Sequence, residues 1–278
     1  MTLEGEGGKR CPTSEFSVAG RGVTLRCRRY GEDGERTLLL IHGAMVDSDF
    51  FAYAAELLAR RFCVVTYDRR GYGKTGMPAD DAYGMDLQAE DAATVIRAMG
   101  APCLVVGHSA GAVVATALVE RHPELVSACI LDEPPLKEIA EPDDPGVHLL
   151  NEIEDQIGLG EYAHAKRLFV DLMGSGDSRA LPRTEEELGH LTDYFNLFIR
   201  QEFVPAFSYH PDYAKLAQSN LAVMLGDQSL RTYHRGIIEE FARRTGAPVI
   251  YRPGAHNGAR DLPADYARVI AGALELGW

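Results

Sequence analysis

One stretch, Cys103-Leu104-Val105-Val106-Gly107-His108-Ser109-Ala110-Gly111-Ala112, limits what this chain can fold into more than any other. Its first four residues are apolar with no polar alternation, which reads as a strand covered on both faces in a parallel sheet. Ala112 to Glu120 reads as a buried helix. Between them, Gly107 to Gly111 satisfies Gly-x-Ser-x-Gly, and a strand, a sharp turn and a helix are the context that makes this motif a nucleophile elbow. A side chain at Gly107 or Gly111 would crowd the tight turn. Ser109 is expected at a strained φ/ψ that lifts its hydroxyl clear of the sheet.

Around this stretch strands and helices alternate. Strands are expected at Phe16–Val18, Leu25–Tyr30, Thr37–Ile41, Phe62–Tyr67, Val126–Leu131, Leu221–Leu225 and Pro248–Tyr251. Helices are expected at Asp49–Arg60, Asp86–Met99, Thr232–Thr245 and Ala264–Leu276. The first two strands form an antiparallel edge pair, and the rest implies an α/β fold with a doubly wound, mostly parallel sheet. From about Leu136 to Leu216 the rhythm breaks into helical stretches around Val147–Ile157, Glu161–Met173 and Glu185–Phe203. The chain thus divides into a flexible tail (1–15), a core (16–135 and 217–278) and a helical cap (136–216), a lid inserted after the sixth strand. The lid should lie over the strand carboxyl ends, where such sheets place their sites. Its aromatics, Tyr162, Phe169, Tyr194, Phe195, Phe198, Phe203, Phe207 and Tyr209, read as lid core, with part facing the cleft and favouring an apolar or aromatic substrate.

A net charge of −13 repels phosphate backbones, so neither nucleic acid nor an anionic membrane is expected as a partner. Cys63, Cys103 and Cys129 lie in or beside apolar runs and read as reduced core thiols; no zinc-ligand spacing appears. Met1 to Pro12 lacks the apolar region of a signal peptide, and no apolar run reaches membrane-spanning length, so a cytoplasmic location is expected. The partner is then a small-molecule substrate, and no metal or organic cofactor is implied. The oligomeric state is open, a homodimer included.

His42-Gly43-Ala44-Met45, Tyr67-Asp68-Arg69-Arg70-Gly71-Tyr72-Gly73, the elbow, a helical insert and Gly254-Ala255-His256-Asn257-Gly258 follow one another in that order. From about Phe16 onward this set resembles the α/β-hydrolase fold, which implies a serine nucleophile. Ser109 is a weak nucleophile at its free pKa and needs a base within hydrogen-bond reach. His256, in a glycine-flanked loop after the last strand, is the candidate, in the chain order Ser…acid…His. The oxyanion needs preorganised N–H donors: Ala110, the residue after the nucleophile, and Ala44, in the loop after the third strand. His42 and His108 are expected to pack or hydrogen-bond beside the site, and Asp68-Arg69-Arg70 to tie loops together.

The acid has three candidates. In most relatives it follows the seventh strand, three residues after a glycine, but three residues after Gly226 stands Ser229. Asp227 is two residues early. The end of the sixth strand carries Asp132-Glu133-Pro134-Pro135, and a carboxylate there can reach the same histidine. Glu133, 24 residues beyond Ser109 and followed by proline, is similar to the pattern of lactone hydrolases like zearalenone hydrolase. Glu133 is the expected acid, with Asp227 and Asp132 as alternatives.

The resemblance implies a serine hydrolase cleaving an ester or lactone of a small, largely apolar substrate through an acyl-enzyme. Carbon–carbon bond hydrolysis, perhydrolysis, intramolecular cyclisation and non-catalytic ligand binding remain alternatives, because a fold does not fix a substrate.

Overall fold

In a computed structural model, residues 13–32, 36–77, 83–174, 192–229 and 232–276 are described. The strands are β1 (Thr13–Ala19), β2 (Thr24–Tyr30), β3 (Thr37–Ile41), β4 (Cys63–Tyr67), β5 (Cys103–His108), β6 (Val126–Asp132), β7 (Leu221–Gly226) and β8 (Val249–Arg252). They form one sheet in the order β1-β2-β4-β3-β5-β6-β7-β8. β1 and β2 run antiparallel, and every pairing from β3 to β8 is parallel. β2 is no edge strand, because it pairs β1 on one side and β4 on the other. β1 begins inside the stretch read as an N-terminal tail, since Thr13, Ser14 and Glu15 already pair with Tyr30, Arg29 and Arg28.

The strands alternate apolar residues between two faces, each covered by helices. Leu39, Ile41, Val65, Val105, Cys129, Leu131, Val223 and Leu225 belong to one buried cluster. It includes residues of α2 (Met85–Met99), α3 (Ala110–Arg121) and, near the C-terminus, α8 (Thr232–Thr245). Leu38, Leu40, Val64, Leu104, Val106, Ile130 and Met224 face the other way. They pack on α1 (Ala52–Leu58) and α10 (Pro263–Leu276). Each such side chain contributes about 1.5–3 kcal/mol on burial, which is why the central strands read as unbroken apolar runs. The helix expected from Asp49 opens as a 3₁₀ turn over Ser48–Phe51, because the Asp47 carboxylate accepts the Asp49 amide and tightens the first turn.

Between β6 and β7 come α4 (Pro145–Gly158), α5 (Tyr162–Gly174), α6 (Phe203–Phe207) and α7 (Tyr213–Leu216). Residues 192–207 are helical throughout and contain a π-helical turn, Phe198–Glu202. The expected helical residues 185–191 lie outside the described ones. Phe169 meets Phe198, and Phe198 meets Phe203, edge to face, Phe203 stacks on Phe207, and all four are buried in the core. α9 (Gly258–Asp261) follows β8. No helix among the described residues is long and apolar enough to cross a membrane.

Candidate active site

Parallel pairing places the carboxyl ends of β3, β5, β6, β7 and β8 side by side, so the segments that follow them converge at one edge of the sheet. Ser109 follows β5 and caps α3 with φ 54° and ψ −123°, a left-handed backbone that a serine adopts only under constraint. The constraint is close packing. A Cβ on Gly107 would lie 2.4 Å from the Gly111 carbonyl oxygen, and one on Gly111 would lie 2.3 Å from that of Ile41. The Ser109 amide donates to Asp132 O at 2.8 Å, which ties the turn to β6. Met45 (φ 60°) and Glu133 (φ 51°) are the other described non-glycine residues with positive φ, and each follows a strand adjacent to β5.

Glu133 is fully buried, whereas the His256 side chain is 22% exposed. His256 Nδ1 donates to Glu133 Oε2 at 2.5 Å. The other carboxylate oxygen accepts the Gly226 amide at 2.7 Å and Arg252 Nη2 at 3.3 Å. Burial acts to raise the carboxyl, but the His256 hydrogen bond and the charges of His256, His234 and Arg252 hold it well below the usual glutamate range. Glu133 is therefore an anion with one oxygen on the His256 ring and the other on the Gly226 amide and Arg252.

The alternative acids are engaged elsewhere. Asp227 is exposed and its Oδ1 accepts the Gly254 amide at 2.8 Å, bracing the β8 loop. Asp132 is buried and accepts from His108 Nδ1 (2.9 Å), Tyr266 OH (3.0 Å) and Arg252 Nε (3.0 Å). Burial opposes its charge, but Arg252 and His108 hold it below the ordinary aspartate value. Ser229, at the commoner acid position, is buried beside Gly226.

Arg252, the last residue of β8, was not singled out in the sequence. Besides the two carboxylates, it donates to Ala255 O at 2.7 Å and His256 O at 3.1 Å. One guanidinium thus compensates adjacent buried anions and fixes the backbone of the histidine loop. The signal available in the sequence was a charge ending an otherwise apolar strand.

Ala110 is the first residue of α3, where an amide has no acceptor within the helix. Ala44 is half-buried in the loop after β3, and a Cβ on its neighbour Gly43 would lie 3.0 Å from Ser109 Cβ, so this loop abuts the elbow. The loop is held by His42 and Arg69, both buried. His42 Nε2 accepts the Arg69 amide at 3.0 Å, so its proton is on Nδ1, which donates to Gly43 O at 2.8 Å. Burial, then the Arg69 charge, keeps the ring well below the ordinary histidine value and hence neutral. His108 is buried, stacks on Phe50 and donates to Asp132.

Asp68 and Arg70 tie loops as expected. Asp68 Oδ1 accepts Ser48 Oγ at 2.6 Å and its Oδ2 accepts the Lys74 amide at 2.8 Å, while Arg70 pairs with Asp91 at 2.7 Å. His234 stacks on His256 with centroids 5.1 Å apart and planes at 21°. With Glu133, these two rings bring potential metal-ligand atoms within 4.8 Å of one another. Lone pairs in near-parallel ring planes do not converge on a single ion, however.

Comparison with known proteins agrees with this architecture. A family model described as alpha/beta hydrolase fold matches residues 36–157. An uncharacterized hydrolase of Bacillus subtilis, YraK, is 26% identical over 95% of this chain and 85% of its own length. Among solved structures, B. subtilis carboxylesterase CesB superposes with a TM-score of 0.70 at 18% identity, covering 95% of this chain and 92% of that one. Est816, described as an N-acyl homoserine lactone degrading enzyme, gives 0.69 at 19% identity, covering 92% and 99%. The chain has the α/β-hydrolase fold.

Proposed function

We propose that this protein is a serine hydrolase that cleaves a carboxylic ester or lactone of a small, largely apolar substrate through an acyl-enzyme. Ser109 attacks the carbonyl, and neutral His256 takes its proton and later returns it to the leaving group. Glu133 holds Nδ1 protonated and stabilises the imidazolium. The Ala44 and Ala110 amides receive the oxyanion. The observation that carries this reading is the 2.5 Å hydrogen bond from His256 Nδ1 to the buried Glu133. An acid after the sixth strand matches the lactone-hydrolase pattern seen in the sequence, and the likeness to an esterase and to a lactone-degrading enzyme supports the substrate class. Residues 136–216 act as the cap in this reading, and the half-buried Ala44 and Met45 give the site an apolar border.

The test is labelling with a fluorophosphonate probe, followed by a panel of p-nitrophenyl esters and aliphatic lactones. Wild-type protein should be labelled and should turn over at least one of them, and Ser109→Ala should do neither while keeping its circular dichroism spectrum. A wild-type protein that resists the probe and turns over nothing would overturn this reading.

A further inference from the structure

Glu202 lies in the helical segment after β6, yet its carboxylate is fully buried among residues that follow β3 and β4. Arg69 Nη1 donates to Glu202 Oε1 at 2.5 Å, and the Tyr72 hydroxyl donates to Oε2. Burial and the Glu202 charge push the Tyr72 hydroxyl well above the ordinary tyrosine value, so it remains a donor. The same Arg69 grips the loop after β3: Nε donates to His42 O at 2.8 Å and Nη2 to Gly43 O at 2.7 Å. Tyr72 OH in turn accepts the Met45 amide at 3.4 Å.

The Gly43 carbonyl and the Ala44 N–H belong to one planar trans peptide, so they point in opposite directions. A guanidinium and the His42 Nδ1–H on that carbonyl therefore fix where the Ala44 N–H aims. They also polarise it, because hydrogen bonds along one peptide reinforce each other. Arg69 can keep its charge in this buried position only with a counter-ion, and Glu202 is the carboxylate that pairs with it. A π turn is a common device for placing one side chain at a functional locus, and here it ends on Glu202.

We propose that Glu202 is a positioning residue of the oxyanion hole: through Arg69 and Tyr72 it sets the direction and donor strength of the Ala44 amide, so the inserted helices complete the site from outside the core. This rests on Ala44 being an oxyanion donor.

The experiment compares p-nitrophenyl butyrate with its thiono counterpart, in which C=S replaces C=O. A thiolate accepts hydrogen bonds poorly, so a damaged oxyanion hole harms the oxoester selectively. Glu202→Gln in the full chain should lower kcat on the oxoester roughly 10- to 100-fold, less than the ~10²–10³ lost when a donor is removed outright. KM and the thionoester rate should change by less than about threefold, a kcat effect without loss of ground-state binding. Tyr72→Phe, which removes only one hydroxyl, should lower the oxo-to-thiono ratio by about threefold or more. It carries the test if the first variant does not fold. Equal losses on both esters, or a Tyr72→Phe ratio like that of wild type, overturn the proposal. A wild-type protein that resists the fluorophosphonate probe and turns over no ester or lactone of the panel overturns the hydrolase reading and this one with it. An active wild type with insensitive variants overturns this one alone.

Discussion

Glu133 and His256, 123 residues apart, meet across the ends of two strands that are not neighbours: β6 and β8 flank β7, whose last residue, Gly226, donates its amide to the same carboxylate. Gly226 suits this crossing because a Cβ there would lie 2.4 Å from the Gly254 carbonyl oxygen and 2.9 Å from Arg252 Nη1. The glutamate therefore spans β7 to reach the histidine loop.

If Glu133 orients His256, Glu133→Gln should lower kcat by about 10⁴, the loss seen when an amide replaces the acid of a serine triad. Asp227→Asn should cost less than about tenfold, since one loop amide loses a charged acceptor. Steady-state kinetics on any substrate the wild type accepts ranks the two. The reverse ranking would make Asp227 the acid.

The depressed Glu133 carboxyl has a pH signature. Its ionised form stabilises the fold above the unfolded value, 4.5, and that contribution is lost only as pH falls through the lower folded value. The stability gap between wild type and Glu133→Gln in urea should thus stay level from about pH 7 to 5 and narrow under stronger acid. Because Glu133 stays ionised over that interval, it should add no proton of its own to the pH dependence of log(kcat/KM), which should fall with a slope no steeper than one. A slope of two would mean the carboxylate titrates there as well.

Arg252→Met should lose about 3–5 kcal/mol, because it strands two adjacent buried carboxylates without their cation. One of them must then bind a proton in the folded state at a pH where the unfolded chain has released it. That raised value reverses the sign: the penalty should shrink as pH drops and grow as it rises. Urea midpoints of both proteins across the acid range measure this, and a penalty independent of pH would show that the arginine acts by packing alone.

Much of this was legible in the sequence, for local reasons. β3 to β8 announce themselves as apolar runs, and the elbow carries its glycines within five residues. Pro134 and the serine at 229 favour Glu133 over Asp227 as the candidate acid, with Asp227 and Asp132 left as alternatives. Arg252 and Glu202 were not legible, because their partners are set by strand order and by the seating of inserted helices. Asp132 and Arg252 are 120 residues apart, and Arg69 and Glu202 are 133 apart; neither leaves a periodic trace. The phenylalanines after β6 were legible as core, but how much of them would face a cleft depended on packing among themselves.

Met45, Ser109 and Glu133 hold left-handed backbones at about 1–3 kcal/mol each, so roughly 3–9 kcal/mol in all. That is comparable with the whole net stability of a typical domain, about 5–15 kcal/mol. Residues that resist such backbones are held in them by the surrounding structure rather than by their own preference. In descendants released from selection for turnover, drift toward glycine or asparagine at 45 and 133 relieves the fold immediately, while Gly-x-Ser-x-Gly can persist as a string. Decay of the chemistry would be recorded first at these flanking residues and only afterwards in the motif.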